Sequence, residues 1–411
     1  MTSGRRHVVV VGAGFAGLSA ATELEASGIR VTVLEATDRV GGRVWSVRLP
    51  NGVVIERGAE FVAEAHESVA RTAASLGLRL VPQGCEFDRR PSPVHDVPDD
   101  DQLRQAVVEV RDSILRRLRT GGSDHSLAEA FAEVGETPGG LAVRRRLATS
   151  TTVPLDQVSA RWYAEAGSAK RYGAALRVQG GNERIARGLA ARLRQPVVTK
   201  ARVTRIERAT SGGMEVECDG RPSLRADGVV LTVPVPALRD LHLPSAVSAR
   251  LAGPVSRIGF GEAAKISVPL AEPGKATGME GPSGDWWSWT RQGDDLAPEP
   301  ALTAFAGGAA AIRALDVVSG PTTWIDAISA TRDEPMLRDG AIRTLWGAKS
   351  SARGAYSARL VGWSAADLDI IQESHDGIVL AGEHTERAGA SMNAALRSGR
   401  RAALLMTREL S

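Results

Sequence analysis

The sequence predicts an α/β fold in which a Rossmann-like nucleotide-binding domain is interleaved with a mixed α+β domain. Three observations predict it. An apolar run, a glycine-rich turn, a helical pattern and a second apolar run follow one another from His7 to Leu34, the pattern of one βαβ unit. Between Leu103 and Ala148 the pattern is helical, punctuated by Gly and Pro. From Gly377 a strand pattern followed by a long helical pattern returns, so the chain leaves the first domain and comes back to complete it.

The elements are expected in this order. A strand from His7 to Val11, a helix from Ala16 to Ala26 stopped by Gly28, and a strand from Arg30 to Leu34 make the first unit. A helix from Glu67 to Leu76 follows, and the Pro- and Asp-rich stretch from Pro91 to Asp101 marks a boundary. Helices are expected at Leu103 to Arg119, Leu127 to Val134 and Leu141 to Ala148. The pair Gly180-Gly181 precedes an amphipathic helix from Asn182 to Leu193. Strands are then expected at Val197 to Ile206, Met214 to Cys218 and Gly228 to Val233, closed by Pro234 and Pro236. Further strands read at Ala263 to Val268, Trp286 to Thr290 and Leu302 to Ala306, with helices between Ala309 and Arg338. The tail carries a strand from Gly377 to Ala381 and a helix from Met392 to Thr407.

Composition limits the function classes. With 43% hydrophobic residues in 411, the chain can bury a core large enough for two domains. A net charge of +3 and no basic block longer than Arg144 to Arg146 argue against a nucleic-acid surface. Cys85 and Cys218 offer neither a disulfide framework nor metal-ligand spacing, which fits a reducing cytoplasm and predicts no metal. Gly12 cuts the first apolar run too short for a signal peptide, and no stretch approaches the ~18 apolar residues of a membrane span. No anchor is expected.

The first turn, Gly12-Ala13-Gly14-Phe15-Ala16-Gly17, lies between a strand and a helix, with Glu35 at the end of the next strand. Glycines there permit a tight turn and close approach of backbone to a pyrophosphate. The helix N-terminus supplies partial positive charge, and Glu35 can accept from ribose hydroxyls. The continuation Ala36-Thr37-Asp38-Arg39-Val40-Gly41-Gly42-Arg43 adds a second anion contact, because Arg43 can meet a phosphate with a planar fork.

The run from Val8 through Phe61, with Arg39-Val40-Gly41-Gly42-Arg43 and Gly58-Ala59-Glu60-Phe61, resembles the flavin-containing amine oxidases: monoamine oxidases, polyamine oxidases and L-amino-acid oxidases. Ala381-Gly382-Glu383-His384-Thr385 and Ser398-Gly399-Arg400-Arg401-Ala402-Ala403 look like that family's C-terminal flavin signature. The resemblance is specific at both ends and loose in the centre. It implies an FAD-binding domain from 1–80, 178–240 and 376–411, and a substrate domain from 81–177 and 241–375. By resemblance, Glu35 binds the adenosine ribose, Arg43 a phosphate, the Val203 backbone the adenine, and Glu383 the pyrophosphate or ribityl region. Ala36, Gly42, Gly58, Ala59, Glu60, Phe61, Gly382, Ser391, Met392 and Ala395 complete the implied cofactor-binding set.

Two residues carry the implied chemistry. Lys265 sits among Ala263, Ala264, Ile266 and Val268, where a buried ammonium needs a partner; the resemblance implies that it holds a water beside flavin N5. Tyr356, in Gly354-Ala355-Tyr356-Ser357, falls where the family places an aromatic at the flavin face. Two departures stand out. Ala355 replaces the cysteine that tethers flavin in monoamine oxidases, so FAD is expected to be non-covalent. Ser391 stands where the second aromatic of the cage is common.

Trp286, Trp287 and Trp289 read as core or domain-interface packing. Glu60 can contact flavin or a basic substrate group, and its presence where an amino-acid oxidase would offer an arginine disfavours amino acids. His66, His375 and His384 show no metal spacing and read as local hydrogen-bonding residues. The expected function is an amine oxidase-like oxidoreductase: hydride from the carbon beside an amine nitrogen to flavin N5, imine hydrolysis, and reoxidation by dioxygen to peroxide. A small-molecule amine or amine-bearing metabolite is the expected substrate. The alternative, favoured by Ser391, is a flavin-dependent desaturase or dehydrogenase of a carbon skeleton, as in protoporphyrinogen oxidases and phytoene desaturases.

Overall fold

Four strands lie parallel in the order Ile378–Leu380, Gly228–Leu231, His7–Val11, Arg30–Leu34, with Ser374–His375 antiparallel at one edge. The computed structural model describes residues 6–85, 90–96, 98–166, 175–349, 351–387 and 389–411. The side chains of the central strand alternate between two cores, as the pleat requires: Val8 and Val10 face one, Val9 and Val11 the other. Burial on both faces explains why His7–Val11 is apolar throughout instead of alternating.

One core is closed by helices Phe15–Ala26 and Met392–Leu410, which pack on each other; Ser19 Oγ donates to the Leu396 carbonyl at 2.9 Å. The other is closed by a three-stranded sheet, Val203–Arg208, Met214–Cys218 and Arg221–Ala226, and by helix Ser245–Ser256. The long strand expected at Val197 to Ile206 is broken. Val198 makes a single bridge to Leu34, Lys200 turns the backbone to φ 52°, and the strand proper starts at Val203. Strand Arg221–Ala226 was not legible, since its polar sequence with Pro222 carries no alternation.

The second sheet is antiparallel, in the order Gly278–Glu280, Trp286–Gln292, Pro298–Gly307, Ala263–Pro269, Ile342–Leu345. One face packs on helices Ala309–Ala314 and Thr322–Ser329 through Trp286, Ala264, Ala304 and Ala306. The other face carries a row set by the register: Trp287 opposite Phe305, Phe305 opposite Lys265, Lys265 opposite Thr344. A further unit of four helices, Asp100–Arg119, Leu127–Val134, Pro138–Thr151 and Ala160–Ala166, has its own core around Val110, Ile114, Leu127 and Tyr163. Its N-termini are marked in the sequence: Asp99 with Gln102 and Ser126 with Glu129 form capping boxes, and Pro138 opens the third helix. Among the described residues, no helix is long and apolar enough to cross a membrane.

Candidate active site

The carboxyl ends of the parallel strands open onto a cavity of about 1050 Å³, lined there by Val11, Leu34, Thr232 and Gly382. Open parallel sheets bind ligands in this position. The cavity continues past Lys265 and Tyr356 to the four-helix unit, where Leu103, Val107, Val143 and Leu147 line it with Arg104 and Arg146. Of the site residues expected from sequence, Gly12, Gly14, Phe15, Ala16, Glu35, Ala36, Gly42, Arg43, Gly58, Ala59, Glu60, Phe61, Val203, Lys265, Tyr356, Gly382, Glu383, Ser391, Met392 and Ala395 all line this one cavity. Ala13 and Gly17 do not. Each acts from behind the wall.

Ala13 donates its backbone N–H to Glu35 Oε2 at 2.8 Å, while Glu35 Oε1 accepts from the Thr37 N–H and hydroxyl, both at 2.8 Å. Three protein donors leave one of the carboxylate's roughly four acceptor sites open, on a residue that lines the cavity. Gly17 lets the first helix approach the turn: a Cβ there would sit 1.9 Å from the Gly12 carbonyl oxygen. The turn therefore folds with its backbone against the cavity and helix Phe15–Ala26 starting at it. Helix Met392–Leu410 also starts at the cavity, capped by Ser391, whose hydroxyl accepts from the Ala394 N–H at 3.1 Å. Ser391 lines the wall without supplying an aromatic, and its residue type is explained by the cap.

Two helix N-termini, a turn where a Cβ would collide and an acid with acceptor capacity fit the anionic dinucleotide half of a flavin cofactor. Arg43 departs from the simple reading. Its Nη1 donates to Glu383 Oε1 at 2.8 Å and to the Ala355 carbonyl at 2.9 Å, and its guanidinium lies 5.1 Å from the Phe260 ring. Glu383 also accepts from the Ser357 hydroxyl at 2.6 Å, the Ser357 N–H at 3.3 Å and the Ala390 N–H at 2.9 Å. Burial alone would raise this carboxyl, but Arg43, His384 and the Ser357 bonds hold it at about 2. Glu383 is thus a fixed anion that organises Arg43 and the segment before the last helix.

At the other end, Lys265 is 4% exposed, and the partner that its burial demanded is Glu60. Lys265 Nζ donates to Glu60 Oε2 at 2.6 Å and to the Gly58 carbonyl at 3.1 Å, and lies 5.1 Å from the Trp289 ring. An ammonium has three N–H donors, so one has no protein acceptor among the described residues. Glu60 Oε1 accepts from Gln83 Nε2 at 2.6 Å and Trp289 Nε1 at 3.0 Å. Burial would raise the Glu60 carboxyl; the charges of Lys265 and Arg291 and the bonds from Lys265 and Trp289 bring it below its ordinary value.

The three tryptophans pack in cores, as the sequence reading expects, and two of them have a second role. Trp286 lies in one core and Trp287 and Trp289 in another with Cys85, and the latter two also line the cavity, with ring centroids 4.2 Å apart and Phe61 at 5.6 and 5.3 Å from them. The signal was present: side chains at i and i+2 of a strand share a face, so the three tryptophans could not all point one way. Trp346 and Phe305 add to the wall, and the Tyr356 hydroxyl donates to the Ser150 carbonyl at 2.6 Å. Trp45, also lining, lies beside Arg39, Arg57 and Lys349 at 4.3, 3.8 and 5.0 Å from their cationic groups. His66 lines the cavity too; His375 is tied to the Ile370 carbonyl at 2.9 Å, and burial lowers His384 to about 4.

The family model for flavin containing amine oxidoreductases matches residues 15–406. A lysine-specific histone demethylase 1 homolog 1 of Oryza sativa subsp. japonica is 26% identical over 98% of this chain and 52% of its own length. An L-amino-acid oxidase of Bungarus fasciatus is 51% identical over 19% of this chain and 16% of that protein. The chain spans about half the length of the demethylase relatives that it matches along its length. Wild-type putrescine oxidase bound to putrescine has the same fold, with a TM-score of 0.83 at 20% identity, over 97% of this chain and 98% of that one.

Proposed function

The chain belongs to the flavin containing amine oxidoreductase family, and on that premise we propose that it holds FAD non-covalently and oxidises a small-molecule amine or amine-bearing metabolite at the carbon beside nitrogen. The observation that carries this reading is the Lys265–Glu60 pair set in an aromatic wall, in one cavity with the glycine turn. A bound flavin would supply a two-electron acceptor: the amine would lose hydride to N5 and a proton to become an imine that water hydrolyses, and dioxygen would take up the two electrons and two protons as hydrogen peroxide.

The chain's own residues bind and orient. The Gly12 to Gly17 turn with Ala36 and Gly42 would take the pyrophosphate, Glu35 the adenosine ribose, and the Val203 backbone the adenine. Arg43, braced by Glu383, would answer a phosphate. Gly58, Ala59, Phe61, Gly382, Ser391, Met392 and Ala395 would wall the flavin. Ala355 offers no thiol for a tether, which supports non-covalent binding. Lys265, with its spare N–H, would hold a water at the reacting end, and Tyr356 would face the substrate. The aromatic rings favour an amine nitrogen through their electron-rich faces.

The assignment of 1–80, 178–240 and 376–411 to FAD and of 81–177 and 241–375 to the substrate is part of this reading. It is supported by the separate cores of the antiparallel sheet and the helical unit, whereas helix Ser245–Ser256 and Ile371 pack in a core of the parallel sheet. A cytoplasmic location is supported by two buried free cysteines.

One observation favours the second reading, a carbon-skeleton desaturase: Ser391 leaves one side of the expected cage without an aromatic. A single experiment decides. FAD-loaded protein mixed anaerobically with an amine panel should bleach and, on admitting air, release peroxide. Bleaching by carbocyclic substrates alone would favour the desaturase, and protein that takes up no FAD would refute both.

A further inference from the structure

We propose that Glu60 is a positioning residue that fixes the Lys265 ammonium at the cavity wall and is not itself a ligand for the substrate. The proposal rests on the reading of the cavity as an amine oxidase site, and its test is chosen so that the two can fail separately.

Protein donors take three of the carboxylate's roughly four acceptor sites. Its Oε2 accepts the 2.6 Å bond from Lys265, and its Oε1 accepts from Gln83 and Trp289. The backbone that carries it is clamped from behind: Asn182, fully buried, donates Nδ2 to the Ala59 and Glu60 carbonyls at 3.1 and 2.8 Å. Gly58, whose carbonyl takes a second Lys265 proton, has no room for a Cβ, which would meet the Arg43 carbonyl oxygen at 1.9 Å. Lys265 is held equally firmly, in mid-strand with neighbours paired on both sides. Both partners are rigid, and the one unclaimed N–H is presented at a fixed place.

Other charges do not take over the task. Arg291 is engaged by Glu299 at 2.8 Å and by the Val54 carbonyl. Burial raises Glu56 to about 7, and the Cys85 thiol is pushed up by burial and by Glu60. Glu60 is the anion that answers Lys265. A buried ion pair adds little net stability over a well-packed apolar pair, so stability alone does not account for it; it fixes a donor in space.

The test compares wild type, Glu60→Gln, Glu60→Asp, Lys265→Met and the Glu60→Gln/Lys265→Met double variant, each loaded with FAD. Flavin reduction by an amine of the panel and reoxidation by air are followed against pH. For Glu60→Gln we expect a ~10-fold or greater loss in the flavin step with KM within about 2-fold of wild type. A buried ammonium without its counter-charge gives up its proton more readily, so the basic limb of the Glu60→Gln pH profile moves to lower pH. Glu60→Asp should restore the wild-type limb. The double variant should match Lys265→Met, the two changes being non-additive.

Thermal unfolding against pH needs no amine. The Tm of Glu60→Gln, measured relative to the double variant, should rise with pH on the alkaline side of neutrality, because an ammonium buried without a counter-charge binds its proton less tightly than the unfolded chain does. A KM raised ~10-fold at unchanged kcat would make Glu60 a substrate ligand and overturn the proposal. Additive losses with an unmoved pH limb and a flat Tm difference would overturn it as well. Should no amine reduce the wild-type flavin, the functional reading fails, and the Tm curves still decide the pair.

Discussion

Glu383 and His384 are neighbours in sequence and are both perturbed, and their effects on stability have the same sign. Glu383 is held at about 2, below its ordinary value, so its contribution is complete above about pH 4.5 and is lost as pH falls toward 2. His384 is lowered to about 4 by burial, so the unfolded chain binds the proton first, and stability is lost as pH falls from about 6.5 to 4. Glu56 runs opposite. Raised to about 7, it contributes below about pH 4.5, and that contribution fades as pH rises through 7. We therefore expect Glu383→Gln to flatten the stability curve between about pH 4.5 and 2, removing on the order of 3 kcal/mol of acid loss, as read by urea unfolding at stepped pH. A curve as steep as wild type in that window would mean that Glu383 is not held as an anion.

At the scale of elements, strand Trp286–Gln292 divides its side chains between a core and a cavity. Trp286→Phe should lower Tm through lost packing and leave KM for an amine unchanged. Trp287→Phe should raise KM several-fold. Steady-state kinetics and thermal melts on the two variants check this, and an equal effect of both on KM would refute the division. The case also shows what the sequence could and could not yield. The first βαβ unit, the helical segment and the last helix were legible because their signals are local: a glycine turn, capping boxes and a 3.6-residue period. The pairing of Lys265 with Glu60 was not, since the partners are 205 positions apart. Burial demanded a counter-charge for Lys265 without saying which. The helix-cap role of Ser391 was missed for the opposite reason: the signal is local, and an expectation about the cage hid it.

At the scale of the whole molecule, one cavity joins the glycine turn, the antiparallel sheet and the four-helix unit. A ligand that touches so many elements couples their stability, because it binds the folded chain alone. FAD at ~100 times its Kd should add about 2.7 kcal/mol, and melts at stepped FAD concentration should show Tm climbing with the logarithm of free FAD. Gly17→Ala, whose new methyl would meet the Gly12 carbonyl, should abolish that climb. A Gly17→Ala protein that still tracks FAD would show that the turn is not where the cofactor is held.

The packing of helix Phe15–Ala26 on helix Met392–Leu410 has a consequence for how the protein is made. A ribosome adds about 5–20 residues per second, so the first helix emerges roughly 20–80 s before the one that covers it. Throughout that interval the face around Ala16 and Ser19, on which Leu396 and Gly399 close, has no permanent cover. Newly synthesised chains should therefore be most vulnerable to proteases and to clumping during elongation, and most in need of a chaperone on the N-terminal segment. Cofactor loading becomes an event that follows translation instead of accompanying it.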